Sequence, residues 1–285
     1  MLEQPKLTQD QIAAIRAVPG LGDGFYASLD LDLTLDYMTR RFVVPIAARL
    51  PIAECRLMDC AAGFGWLSFA YLLAGGKAAI LVEPDAPRLA AALRIAAILG
   101  VADRCTGIVA TLQSLRLDRP VEIVVSIETL EHVGKANVAA CVEALARSAT
   151  RMVVLTTPNR IFPQVAHDTA LPFAHWLPRP PRHAYARACG RTHTEIDNHF
   201  IAPWDLAPLA ARFRSDGRVG TFASIAEYRA FFPVYMPYGP TVAERHRRRP
   251  PRVLTVIHAT LARLLGTRAY WLSPSLASIW LRRDG

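Results

Sequence analysis

The sequence lacks the features that would send a chain through or across a bilayer. No uninterrupted apolar run approaches the ~20 residues that span a hydrocarbon core. The first twenty residues, MLEQPKLTQDQIAAIRAVPG, show no basic segment followed by an apolar one, so no signal peptide is expected. Cysteine is scarce: Cys55, Cys60, Cys105, Cys141 and Cys189 are odd in number and never spaced C-x-x-C. That argues against a disulfide framework or a paired-cysteine zinc site and for reduced, mostly buried thiols. There is no internal repeat and no low-complexity segment. The arginine-rich stretch ERHRRRPPR (244–252) has no aromatic between its charges, which argues against a stacking platform for single-stranded nucleic acid. It reads as a solvated loop, with an anionic membrane surface, nucleic acid or a phosphorylated substrate as the alternatives. A soluble cytoplasmic protein is expected, with peripheral membrane contact left open.

What is present is apolar bulk: 52% of the 285 residues are hydrophobic, and the net charge is +9. That suits one large domain with an elaboration, or a domain plus a small one. Residues 8–17 and 33–49 read as helices, the second kinked or divided at Pro45. From 56 onward short apolar runs alternate with alanine- and leucine-rich segments. Strands are expected at 56–60, 78–83, 105–110, 121–127 and 151–158, and helices at 66–74, 86–100 and 136–148. Near-continuous apolar strands alternating with helices predict an α/β fold, a parallel sheet covered on both faces. The alternation stops at 159. Residues 159–200 are rich in Pro, His, Arg and aromatics and read as a lid over the site. A helix (203–213), a strand (217–224), a helical and basic insertion (225–270) and a last strand (278–283) follow. Within the insertion, 258–276 reads as an amphipathic helix packed on the sheet, with a membrane interface as the alternative.

The first strand leads into DCAAGFG (59–65). Glycines at 63 and 65 let the backbone turn sharply and approach a ligand with no Cβ in the way. Glu83 ends the next strand, 18 residues after Gly65, where a carboxylate can accept from both hydroxyls of a ribose. The loop lacks the third-glycine spacing of the dinucleotide fingerprint.

On these residues the chain resembles the class I S-adenosylmethionine (SAM)-dependent methyltransferases. Their [DE]-x-G-x-G-x-G loop matches DCAAGFG with Ala61 at the first glycine. Their acidic residue after strand two matches Glu83 in LVEPD, and their adenine-edge position falls on Thr111-Leu112. The resemblance spans roughly 50–160. It implies a Rossmann-like seven-stranded sheet over 51–285, preceded by an N-terminal helical segment (1–50). It implies SAM held by Asp59, Ala61, Gly63, Gly65, Glu83, Pro84, Thr111, Leu112 and Ile127. Ala61 fits such a loop if its φ is negative. Thr111 stands where many relatives have an acid.

After strand four, SIETLEHVGK places Glu128, Glu131 and His132 at i, i+3 and i+4, one face if the stretch is a helical turn. Two carboxylates and an imidazole there suit Mg²⁺ or another divalent ion. The E-x-x-E-H pattern, with TTPNR at 156–160, resembles two metal-using branches, the ubiquinone-biosynthesis O-methyltransferases and the 2′-O-methyltransferases of small-RNA 3′ ends. That resemblance implies metal ligands at Glu128, Glu131 and His132, with His167 as a fourth. A metal-free site with His132 packed near the cofactor is the other reading. Either way His132, His167 and Glu128 are the catalytic candidates, while His175, His183, His193 and His199 are alternatives in the lid. Phe173 and Trp176 there suit either an acceptor pocket or a small lid core. The expected activity is O-methylation of a small-molecule or lipid-like hydroxyl acceptor. An RNA 3′-terminal 2′-O-methyltransferase and a non-catalytic interaction protein are the alternatives. The sequence does not set the oligomeric state.

Overall fold

The computed structural model describes residues 6–22, 24–165, 169, 171–191, 198–217, 252–273 and 275–283. Seven strands form one sheet: β1 (Arg56–Cys60), β2 (Ala78–Glu83), β3 (Cys105–Val109), β4 (Val121–Ile127), β5 (Ala149–Thr156), β6 (Phe213–Gly217) and β7 (Ser278–Arg282). Their order is β3-β2-β1-β4-β5-β7-β6. The first five are parallel, while β7 runs antiparallel to both β5 and β6. The interior strands are buried on both faces, which is why they read as unbroken apolar runs.

Alternation along the strands sorts the core into two layers. Leu57, Leu81, Ile123, Val125, Met152 and Val154 face one side. Met58, Cys60, Val82, Val124, Val153 and Leu155 face the other. Helices α1 (Gln9–Arg16), α2 (Leu31–Met38), α3 (Val44–Ala47), α4 (Trp66–Leu73) and α5 (Ala86–Ile98) cover the first face. Helices α6 (Val138–Ser148) and α8 (Ala207–Arg212) cover the second. Helix α7 (Arg179–Ala188) lies in the 159–200 segment and α9 (Arg252–Leu265) precedes β7.

Helix α4, WLSFAYLL, is buried all round from Trp66 to Leu72, because it is sandwiched between the sheet and α2. A helix without a polar face requires cover on both sides, and the N-terminal helices supply it. Their Ile15, Leu35, Phe42 and Ile46 join the same core cluster. Two polar side chains of α4 are paired: Tyr71 Oη shares its proton between the carbonyls of Ile52 (3.0 Å) and Cys55 (2.7 Å), and Ser68 Oγ donates to Asp59 at 3.0 Å.

Pro45 does not divide the second helix. Between α2 and α3 the chain makes a π turn, Thr39–Val43, with the Val44 N–H donating to Thr39 O, one residue further back than in an α-helix. Proline lacks an N–H and its ring crowds the carbonyl four residues back; the wider turn just before it absorbs the mismatch.

The strand expected at 217–224 begins earlier, at Phe213. β6 occupies 213–217, where buried Phe213 opens the pairing with Arg282. Residues 218–224, and the insertion from 225 to 251 with most of its arginine run, lie outside the described residues. Within 258–276, α9 contacts the 3₁₀ turn Gly266–Leu272 that follows it, that turn contacts β6, and Val253, Val256, Ile257, Leu264 and Leu265 of α9 are exposed.

The 159–200 segment is tied down at its start. Asn159 is buried, and its Nδ2 donates to the carbonyls of Trp271 and Ser273, both at 2.8 Å. His175 Nε2 lies 3.0 Å from Arg160 O, and Trp176 Nε1 donates to the same carbonyl at 2.6 Å. The rings of Phe173, Trp176, His175 and Phe200 pack in sequence against one another. These aromatics form a small local core whose outer members, Phe173 and Trp176, stay half exposed.

Candidate active site

β1 pairs with β2 on one side and with β4 on the other. The strand order therefore reverses at β1, and in an open α/β sheet the crevice beyond that point takes the ligand. The chain leaves β1 through Ala61 to Gly65. Three φ angles there are positive: Ala61 at 57°, Gly63 at 58° and Gly65 at 82°. Ala61 thus breaks the expectation of a negative φ. The left-handed region costs an alanine about 1–2 kcal/mol, and the tight turn out of the strand imposes it here.

The two glycines serve different needs. At Gly65 a Cβ would stand 2.7 Å from Phe69 Cζ and 2.8 Å from Leu81 Cδ2, so this glycine lets α4 approach the sheet. At Gly63 a Cβ would meet nothing within 4 Å, so the main chain here borders open space. The Gly63 N–H donates to Glu83 Oε2 at 2.8 Å, and the Asp85 N–H donates to Glu83 Oε1 at 3.2 Å. Glu83 is buried, with the Arg88 guanidinium 3.7 Å from Oε1. A carboxylate offers about four acceptor positions, and two remain after these main-chain bonds. Pro84 follows it, exposed.

Asp59 points elsewhere. It is buried beneath the loop against Ser68, and burial pushes its carboxyl up to about 7, against the pull of the Ser68 hydrogen bonds. Thr111 is exposed and closes a small turn with Ser114, their hydroxyls 2.9 Å apart; Leu112 is buried beside it. Ile127 ends β4, half-buried.

The E-x-x-E-H stretch does not form the shared face expected of it. Glu128 leaves β4 with φ 47°, its N–H held by Thr156 O at 2.8 Å. Only then does a short 3₁₀ turn, Leu130–His132, begin. Glu131 is fully buried and accepts from Thr157 Oγ1 at 3.0 Å. Its carboxyl is pushed well above the carboxylate range, first by burial and then by the charge of Glu128. The His132 ring is half exposed, with Nε2 4.0 Å from Glu131 Oε1. Among the described residues no three His, Cys, Asp or Glu gather as a metal-binding group. The expected trio of Glu128, Glu131 and His132 is not such a group, although Glu131 adjoins both of the others. His167 and His193 lie outside the described residues.

His199, one of the lid alternatives, is better placed. Its N–H donates to Glu131 O at 2.8 Å. It lines a cavity of about 500 Å³ together with Lys135, Val138, Arg160, Trp204 and Asp205. Burial lowers its pKa, and Arg160 pushes the same way. His183 lies half-buried on α7. Sequence reasoning gave Lys135, Arg160 and Trp204 no role. They meet only through the packing of α6 against the 3₁₀ turn Pro203–Leu206, which leaves no local pattern.

This sheet order, with an antiparallel seventh strand inserted beside the fifth, is the Rossmann-like methyltransferase fold. Magnesium protoporphyrin IX methyltransferase from Synechocystis with bound SAH matches with a TM-score of 0.50 at 16% identity, over 75% of this chain and 90% of that one. The same enzyme with bound SAM gives 0.46 at 14% identity, over 77% and 94%. The glycopeptide N-methyltransferase MtfA complexed with SAM gives 0.38 at 22%, over 45% and 55%. The first of these likenesses carries the fold and nothing finer. No family model and no curated protein matches the chain.

Proposed function

We propose that the protein is a SAM-dependent methyltransferase acting on a hydroxyl of a small-molecule or lipid-like acceptor. The observation that carries this reading is the loop after β1, where main chain at Gly63 borders open space beside the buried Glu83 carboxylate. The chemistry SAM supplies when bound is a methyl group on a sulfonium sulfur. Ala61, Gly63 and Gly65 would pass its main axis, Glu83 would accept from the ribose hydroxyls with its two remaining positions, and Thr111 and Leu112 would border the adenine. Asp59 would support the loop from beneath.

The chain's own part in transfer is positioning and proton removal. An acceptor hydroxyl loses its proton as the new carbon–oxygen bond forms. The lowered pKa of His199 leaves a ring nitrogen free to take that proton at neutral pH. Lys135 and Arg160 beside it would favour an acceptor bearing negative charge. His132 and Glu128, just past β4, are the other candidates for this role. The reading carries no metal step, because the described E-x-x-E-H residues do not gather into a ligand set.

Isothermal titration with SAM and SAH tests the reading directly. Glu83→Ala should weaken SAM binding by about 10–100-fold, the loss expected for removing a charged hydrogen-bond acceptor, with the circular dichroism spectrum unchanged. Absence of SAM binding by the parent protein would overturn it. His199→Ala should then abolish turnover of labelled SAM while leaving SAM affinity intact.

A further inference from the structure

The charge of this chain is gathered in one place. Thirty-three Lys and Arg stand against 24 Asp and Glu. Residues 245–283 contain nine arginines and no acidic residue, which leaves 24 of each sign elsewhere. The whole net charge of +9 therefore belongs to this stretch, and α9 stands in the middle of it.

Helix α9, RVLTVIHATLARLL, carries Val253, Val256, Ile257 and Leu264 at offsets of 0, 3, 4 and 11, which is one helical face. All four are exposed, at 69%, 56%, 46% and 74%. Trp271 and Leu272, in the 3₁₀ turn that follows, add 40% and 49%. Scattered exposed aliphatics need no explanation, but one helical face of four, interrupted only by Thr260 and rimmed by one sign of charge, does. Arg263 and Arg268 are exposed beside it.

We infer that α9 lies in the interface of an anionic phospholipid membrane. The aliphatic face enters the headgroup–acyl boundary, Trp271 sits at headgroup depth, and Arg263 and Arg268 face lipid phosphates. The helix lies on the membrane rather than across it. Its 14 residues extend about 21 Å, short of the ~30 Å core, and among the described residues no helix is long and apolar enough to cross. Two other occupants fit less well. Nucleic acid would meet the arginines but leave the Val, Ile and Leu side chains with no base to stack on. A second copy paired about a two-fold axis would bring arginines against arginines. The anchor is also well connected. Asn159, just past β5, holds the carbonyls of Trp271 and Ser273, so the membrane element is fastened at the same sheet edge as the crevice.

The test is flotation of the full chain with vesicles of equimolar phosphatidylglycerol and phosphatidylcholine, against phosphatidylcholine alone. At about 0.1 M salt, partitioning should be at least about tenfold stronger on the anionic vesicles, and weaker but present at about 0.5 M. The double variant Ile257→Asp, Leu264→Asp should lose at least about tenfold of that binding. Its gel-filtration volume and melting temperature should not change, since both side chains are exposed. Brominated acyl chains in the anionic vesicles should quench part of the parent protein's tryptophan fluorescence. Three outcomes would overturn the inference: no flotation with anionic vesicles, a variant that floats like the parent with no bromine quenching, or a parent dimer that the aspartates dissociate. None of these readouts depends on SAM.

Discussion

The two halves of the sheet edge are built by different means. On the β1–β3 side, the crevice wall is main chain: three left-handed residues in five positions, with Gly63 bonded to the side chain at the end of the next strand. On the β4–β7 side, segments far apart in sequence are brought together: the His199 main chain bonds that of Glu131, the Asn159 side chain holds the Trp271 and Ser273 carbonyls, and Lys135, Arg160, His199 and Trp204 line one cavity. A site made of backbone tolerates almost no change at a few positions, whereas one made of side chains spreads its requirements thinly. The first half suits a fixed ligand, and the second can be refitted to a new one without disturbing the fold.

The sharpest way to break that contrast is at Gly65. Gly65→Val adds a β-branched side chain at φ 82° against Phe69 and Leu81. Overpacking and backbone strain together should cost about 4 kcal/mol, lowering the melting temperature by about 10 °C. Melting close to the parent value would mean that the loop is not the rigid half.

Next comes pH. The Asp59 carboxyl is pushed up to about 7 by burial, from 3.8. The unfolded chain releases this proton near pH 4, but the folded one keeps it to about 7. Stability should therefore fall as pH rises from 4 to 7 and level off above, by about 4 kcal/mol from this group. Asp59→Asn should remove that slope in denaturant titrations of the protein free of SAM. An unchanged slope would assign the pH dependence elsewhere.

Glu131 offers a finer test on the other half. It is buried and inclined to stay protonated, so the neutral isostere should serve. Glu131→Gln should keep stability within about 1 kcal/mol, whereas Glu131→Ala should lose about 2–3 kcal/mol by emptying a buried polar site. A divalent ion bound there would reverse this order in activity, with Gln as damaging as Ala and full inhibition by a chelator.

The smallest effect is at Ala61. Replacement by glycine relieves a left-handed alanine but adds unfolded-state entropy, so the net gain should stay under about 1 kcal/mol by thermal melt.

This division also explains what was legible in the sequence. Strand–helix alternation and the small-residue loop are local signals, and the first five strands fall within two residues of where the pattern places them. Gly63, Gly65 and Glu83 were readable because a turn out of a strand restricts residue type at fixed spacing. The E-x-x-E-H stretch departs from the expected helical turn because Glu128 is left-handed and the residues after it form a 3₁₀ turn. The start of β6 was not legible because Phe213 fits the end of a helix as well as the start of a strand, and its partner Arg282 decides. His199 could not be singled out from the other lid histidines, since its place beside Arg160 and Glu131 comes from residues distant in sequence.

The position of β7 has a consequence for how this molecule comes into being. Among the described residues β6 has β7 as its only neighbour, and β7 arrives some sixty residues later. While the chain emerges from the ribosome, the five parallel strands can assemble in order, but Phe213–Gly217 has no ladder to join until Ser278 clears the exit tunnel. In that interval one edge of the sheet is open, so premature termination upstream of 278 should yield an aggregation-prone product rather than a smaller working one.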